Sequence, residues 1–180
     1  YGNLTLTNSI IRGNTGNTAI YIHSISNFFT NNCAITENVG SWAVYGMGYT
    51  RLNLNNTLIA DNTGGGILVQ NNGLQGSYTI LNGVTVTGNI SADGATSGIS
   101  ITSPTPDGYT NISNSIIYGN GDSTQIFIDA DADPTLSIEY SSIQNGLDLV
   151  ADSIGVINWG DGNIDIDPNF TDPDNGDFTL

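Results

Sequence analysis

Carboxylates and aromatic rings carry the chemistry open to this chain, and their spacing repeats. Glu37 and Asp61 stand 24 residues apart. Two carboxyl groups at a suitable separation are what glycoside hydrolysis needs, one as acid and one as base or nucleophile. Tyr21 and Tyr45 are also 24 residues apart, with Trp42 just before the second. Rings in such a series suit a platform for the apolar face of a sugar. Asp129, Asp131 and Asp133 alternate, so an extended backbone sets them on one side. Asp161, Asp165 and Asp167 form a second acidic group. Hard oxygen ligands, about six to eight of them, are what Ca²⁺ takes, so calcium is the expected structural cofactor. Twelve-residue loops begun at Asp129, Asp161 or Asp172 lack the sixth-place Gly and closing Glu of an EF-hand.

These residues sit in a phrase that returns along the chain: alternating apolar residues, a small-residue corner, a pair of aliphatics, then Asn. The closing Asn falls at 14, 38, 62, 89 and 120, in steps of 24, 24, 27 and 31 residues. A period of this length marks a solenoid, in which each repeat buries its apolar face against its neighbours. Pairs such as Leu4/Leu6, Leu52/Leu54 and Ile99/Ile101 alternate with the period of a strand. No window carries a helical apolar stripe. The expectation is an all-β coil of about six turns, with three short parallel strands per turn.

Corners take backbone groups out of the strand ladder, and an Asn amide can satisfy them. Two Asn columns fit this role: Asn8, Asn32, Asn56, Asn82 and Asn114, and Asn14, Asn38, Asn62, Asn89 and Asn120. Cys33 shares a small-residue corner slot with Ser9, Thr57 and Ser115 and has no second cysteine to pair with. Repeats are expected over residues 1–146. An acidic final turn and capping flap follow over 147–180, with Trp159, Phe170 and Phe178 covering the open end of the coil.

Charge narrows the partners. The chain has no Lys, two Arg and 17 acids, for a net charge of −15. Residues 1–121 carry four acids and two Arg, net −2, and residues 122–180 carry thirteen acids and no cation, net −13. Nucleic acid and anionic lipid are excluded, since binding them takes basic patches. Membrane insertion is excluded too, because no apolar run approaches the ~20 residues of a span. The surplus of acids also keeps a rod with exposed strand edges soluble.

The phrase Asn-Ser-x-Ile-x-Gly-Asn, at residues 8–14 and 114–120, resembles the right-handed parallel β-helix repeats of the pectin-lyase-like superfamily. The closing segment from Asn163-Ile-Asp-Ile-Asp-Pro-Asn-Phe to Gly176-Asp-Phe-Thr-Leu180 is similar to the ending of secreted choice-of-anchor bacterial surface proteins. The resemblance implies a right-handed parallel β-helix and a secreted or cell-surface location. The superfamily holds lyases, hydrolases, tailspikes and adhesins, so the fold alone names no activity. Its pectate lyases use an Arg or Lys base beside calcium-binding Asp, and Lys is absent here. The Asn-Thr-Asp, Asp-Asp, Gly-His-Gly and Arg-Ile-Lys motifs of its polygalacturonases are absent too.

The expected function is a non-catalytic stalk or glycan-recognition module, with Tyr21, Tyr45 and Trp42 facing an extracellular polysaccharide or another protein chain. The alternative is a carbohydrate-active enzyme using Glu37 and Asp61. Because the sequence opens at Tyr1 inside a strand, the chain is expected to be part of a longer protein.

Overall fold

Thr, Asn and β-branched residues alternating with Leu and Ile favour extended backbone. In the computed structural model the chain forms parallel strands coiled as a solenoid. The structure describes residues 2–24, 26–70, 76–91, 96–102, 108–121, 124–129, 135–152 and 156–180. Three strand tracks run around the coil. The first holds Gly2–Thr7, the opening halves of Ser26–Thr36 and Thr50–Ala60, then Tyr78–Asn82, Tyr109–Ser113, Thr135–Glu139 and Val156–Trp159. The second holds Ile10–Arg12, the closing halves of the two long strands, Thr85–Thr87, Ile116–Tyr118 and Ser142–Ile143. The third holds Thr18–His23, Val39–Met47, Thr63–Gln70, Ile99–Thr102, Ile126–Asp129 and Val150–Asp152. Six strands on the third track enclose about five full turns, one fewer than expected.

Register sets the core. Ile20, Val44, Ile67, Ile99, Ile126 and Val150 align turn on turn, and all six are buried. Phe28, Leu52, Ile35 and Ile59 fill the same interior from the other tracks. Each large aliphatic buried this way contributes about 1.5–3 kcal/mol. The last turn is closed by Ile157 and Trp159, half-buried and packed against this core.

Two corners hold the tracks together by different means. The first turns on left-handed residues: Asn8 (φ 51°), Asn32 (φ 56°), Asn56 (φ 44°), Gly83 (φ 66°), Asn114 (φ 50°) and Tyr140 (φ 49°). Asn tolerates this conformation better than most residues, and Gly adopts it freely. The expected first column is therefore corrected at one place. Asn82 aligns with Asn55 and Ser113, and Gly83 takes the corner slot. The column is also mostly exposed and its side-chain links are partial. Asn32 Nδ2 donates to Asn8 Oδ1 at 2.7 Å, and Asn114 Nδ2 donates to Asn82 Oδ1 at 2.9 Å. Just inside it, Ser9, Thr57, Ser115 and Ser141 turn their hydroxyls back onto the carbonyl two residues earlier. Buried Cys33 does the same with its thiol.

The second corner carries an unbroken amide ladder. Asn14, Asn38, Asn62 and Asn89 each donate Nδ2–H to the Oδ1 one turn on, at 2.8–2.9 Å. That same Oδ1 accepts the donor residue's own backbone N–H at 3.0–3.2 Å. The second Nδ2–H of Asn38, Asn62, Asn89 and Asn120 reaches back to Ile11, Ile35, Ile59 and Val86 carbonyls. These four residues are buried, and the reciprocal bonds satisfy what burial would otherwise penalise. Gln125 ends the series: its Oε1 accepts from Asn120 Nδ2 at 2.9 Å and its Nε2 returns a bond to the Asn120 carbonyl.

The C-terminal segment departs from expectation in place. Trp159 belongs to the last strand of the first track, in register with Ile138. Phe170 and Phe178 meet edge to face, 5.3 Å between centroids. Their segment lies along the side of the coil, where Gly176–Thr179 share a cavity with Asn56, Leu58, Gly83 and Thr85. Ile157 and Trp159 of the final strand, rather than Phe178, are the residues here that pack against the core.

Asn62→Ala, which orphans several buried partners, is expected to lower unfolding free energy by about 1–3 kcal/mol. Asn56→Gly keeps the left-handed corner and is expected to stay within about 0.5 kcal/mol of the parent. Chemical denaturation of both variants checks this. A harmless Asn62→Ala would remove the ladder from the account.

Candidate functional site

Outward positions of the first track stand in columns that run from turn to turn. Asn3, Asn27, Arg51, Tyr78, Tyr109, Thr135 and Val156 make one column in register. Thr5, Phe29, Asn53, Ile80, Asn111, Ser137 and Asn158 make the next, and Thr7, Asn31, Asn55, Asn82, Ser113 and Glu139 the third. In a chain with 17 acids, these columns hold one carboxylate, Glu139, and one cation, Arg51. Tyr78 and Tyr109 stack with centroids 5.6 Å apart and planes inclined 16°. The Arg51 guanidinium lies 5.8 Å from the Tyr78 centroid, and its Nε donates to the Gly76 carbonyl at 2.9 Å. Stacked rings bordered by amides can take the apolar face of a sugar and bond its hydroxyls.

The third track carries the expected aromatic group in a different arrangement. Tyr21 and Tyr45 are neighbours, 5.1 Å between centroids, but tilted by 49°. Their hydroxyls are engaged: Tyr21 with Met47 Sδ at 3.2 Å and Tyr45 with Gln70 Oε1. Burial, with Tyr21 nearby, raises the Tyr45 hydroxyl above the usual tyrosine range. Trp42 is half-buried, and its indole lies so close over Gly65 that a Cβ there would collide with it. His23 flanks Tyr21 at 5.7 Å and shares a 2.7 Å hydrogen bond with the Ser24 hydroxyl.

Glu37 and Asp61 meet at the second corner, one turn apart, each in the left-handed conformation with φ of 56° and 55°. Gly13, Gly88 and Gly119 fill the same slot in other turns, where no Cβ strain arises. Arg12 forms an ion pair with Glu37. Asp61 is half-buried, and burial followed by the Glu37 charge holds its carboxyl above the ordinary range. Its side chain reaches over Gly88, where a Cβ would strike Oδ1. The pair sits on an outer corner and lines neither cavity of the flap flank.

The acidic groups do not assemble a cation site among the described residues, where no three His, Cys, Asp or Glu side chains come together. Asp165 Oδ1 accepts the Asn145 N–H at 2.8 Å, and Asp167 Oδ1 accepts the Asn169 N–H at 2.9 Å. Both carboxylates act on Tyr118, whose hydroxyl is raised first by burial and then by these charges. Asp161 is exposed in a turn. Asp131 and Asp133 lie outside the described residues, as does the side chain of Asp129. Two cavities flank the flap, about 420 Å³ beside Phe178 and about 400 Å³ beside Tyr140, Ile166 and Leu180.

No protein-family model matches the chain, and neither the curated proteins nor the solved structures contain a match to it.

The Arg51–Tyr78–Tyr109 column is the grouping that reading by fixed period does not bring out. Its members are 27 and 31 residues apart, the same steps that separate Asn62, Asn89 and Asn120. Carrying the ladder's own unequal steps onto the aromatics would have aligned them.

A raised folded-state pKa means that deprotonation of Asp61 opposes folding. Its contribution to stability is therefore full at acidic pH and declines as pH rises through the raised value. Asp61→Asn retains a residue suited to the left-handed corner and removes the charge. At pH 7 the variant is expected to gain on the order of 0.5 kcal/mol, given the solvent screening, and at pH 3 to match the parent. Denaturation at the two pH values checks this, and a variant less stable at pH 7 would contradict it.

Proposed function

We propose that the chain is a non-catalytic extracellular module whose first face recognises polysaccharide. One observation carries the reading: a stacked tyrosine pair in register on a strand face rich in amides. Repeating amides and hydroxyls along parallel strands match a ligand that itself repeats. The resemblance of the repeats and the C-terminal ending to secreted β-helix surface proteins agrees with this reading and with a cell-surface location.

A second reading keeps hydrolysis in view. Glu37, held beside Arg12, and Asp61, with its raised pKa, are carboxyls in unequal environments, as an acid–base pair requires. Their outer-corner position, away from the cavities described, favours the binding reading.

Glycan-array binding, with and without chelator, tests the proposal. The chelator arm matters because acids at 129–133 and 161–167 are where a structural calcium would act. Tyr78→Ala and Tyr109→Ala are each expected to weaken binding about tenfold without lowering the melting temperature appreciably. Tyr21→Ala serves as the control on the third face. Binding that survives both first-face substitutions would reject that face. Polysaccharide turnover abolished by Glu37→Gln or Asp61→Asn would install the hydrolase reading instead.

A further inference from the structure

We propose that Arg51 makes the first face selective for a sugar bearing a single anionic group, a carboxylate or sulfate seated beside the Tyr78–Tyr109 stack. The inference rests on glycan recognition by that face. The chain has two arginines, and they are employed differently. Arg12 is paired with Glu37. Arg51 has no carboxylate within ion-pair distance among the described residues.

Arg51 is nonetheless held in place. Its Nε donates to the Gly76 carbonyl at 2.9 Å, and its guanidinium stands over the Tyr78 ring. Gly76 has φ 101°, and a Cβ there would stand 3.2 Å from Arg51 Nη2, so glycine leaves the guanidinium its room. Among the described residues its terminal N–H groups meet no hydrogen-bond acceptor. A guanidinium fixed by two contacts loses little freedom on taking a ligand, and its fork suits a carboxylate or sulfate. The ring plane beside it orients the sugar, and Asn53 and Asn111 on the adjoining column can bond its hydroxyls.

Charge limits how many anionic groups the ligand can carry. One cation meets one anion at contact, whereas a polyanion extending over the chain meets a net charge of −15. That repulsion is screened only beyond a Debye length of about 8 Å at physiological salt. The site therefore fits one charged sugar within a mainly neutral glycan, not a polyuronate.

The test uses matched oligosaccharides ending in glucuronate or glucose, together with a polyuronate, titrated against the parent chain, Arg51→Gln and Arg51→Lys. The parent is expected to bind the glucuronate form at least about tenfold tighter than the glucose form, and the polyuronate less well than the single-acid ligand. Arg51→Gln is expected to bind the two forms alike, losing that ratio, and Arg51→Lys to keep part of it. Equal binding of the two forms by the parent, or a ratio that survives Arg51→Gln, would overturn the inference and leave glycan recognition standing. A polyuronate that binds tightest would overturn the single-charge assignment. No binding of any glycan would overturn both readings.

Discussion

Everything in this coil depends on what happens to backbone groups where the chain leaves one strand track for the next. At the second corner those groups are buried, and water cannot serve them. The amides of Asn38, Asn62, Asn89 and Asn120 do so instead, each accepting two bonds and donating to the next amide and to a carbonyl of the turn before. An unsatisfied group at such a position costs about 1–3 kcal/mol. The ladder also locks register, because an amide displaced by one residue loses its partners above and below. Gln125 shows the rule at its limit: where the next turn offers no Asn, a longer amide folds back to supply the same oxygen.

Fixed register is what makes a face. Outward residues stand in columns only while each turn repeats the phase of the last, and on the first track that phase brings Arg51, Tyr78 and Tyr109 together across turns of different length. The later repeats are longer, yet these columns stay in register. Glu37 and Asp61 sit instead in the left-handed slot of the second corner, outside the strand columns. Amides and rings dominate the face.

Much of this fold was legible because its signals are periodic and chemically narrow. Alternating Leu and Ile marked the strands, and Asn62 and its equivalents marked the buried corner. Asn82 was misplaced by one residue because a 27-residue turn contains both an Asn and a Gly near the first corner. The backbone there needs a left-handed residue, and Gly83 meets that need at least cost. Gln125 stood outside any column, being five residues from the Asn it caps rather than a full turn. The position of Phe178 beside the cavity it shares with Leu58 and Gly83 had no local signal, because it is set by residues about a hundred positions away. For the site, Tyr21 and Tyr45 were visible through an even 24-residue step. The flatter pair at Tyr78 and Tyr109 was hidden by an uneven one.

The claim that buried amides set the register is most directly tested by hydrogen exchange. Native-state exchange resolves which backbone amides open only with the whole molecule and which open locally. The account predicts that the N–H groups of Asn38, Asn62 and Asn89, donated to the next side-chain amide and buried, exchange only through global unfolding. Asn8, Asn32 and Asn56 at the exposed first corner should exchange faster. Ladder amides that exchange as fast as those first-corner amides would contradict the account.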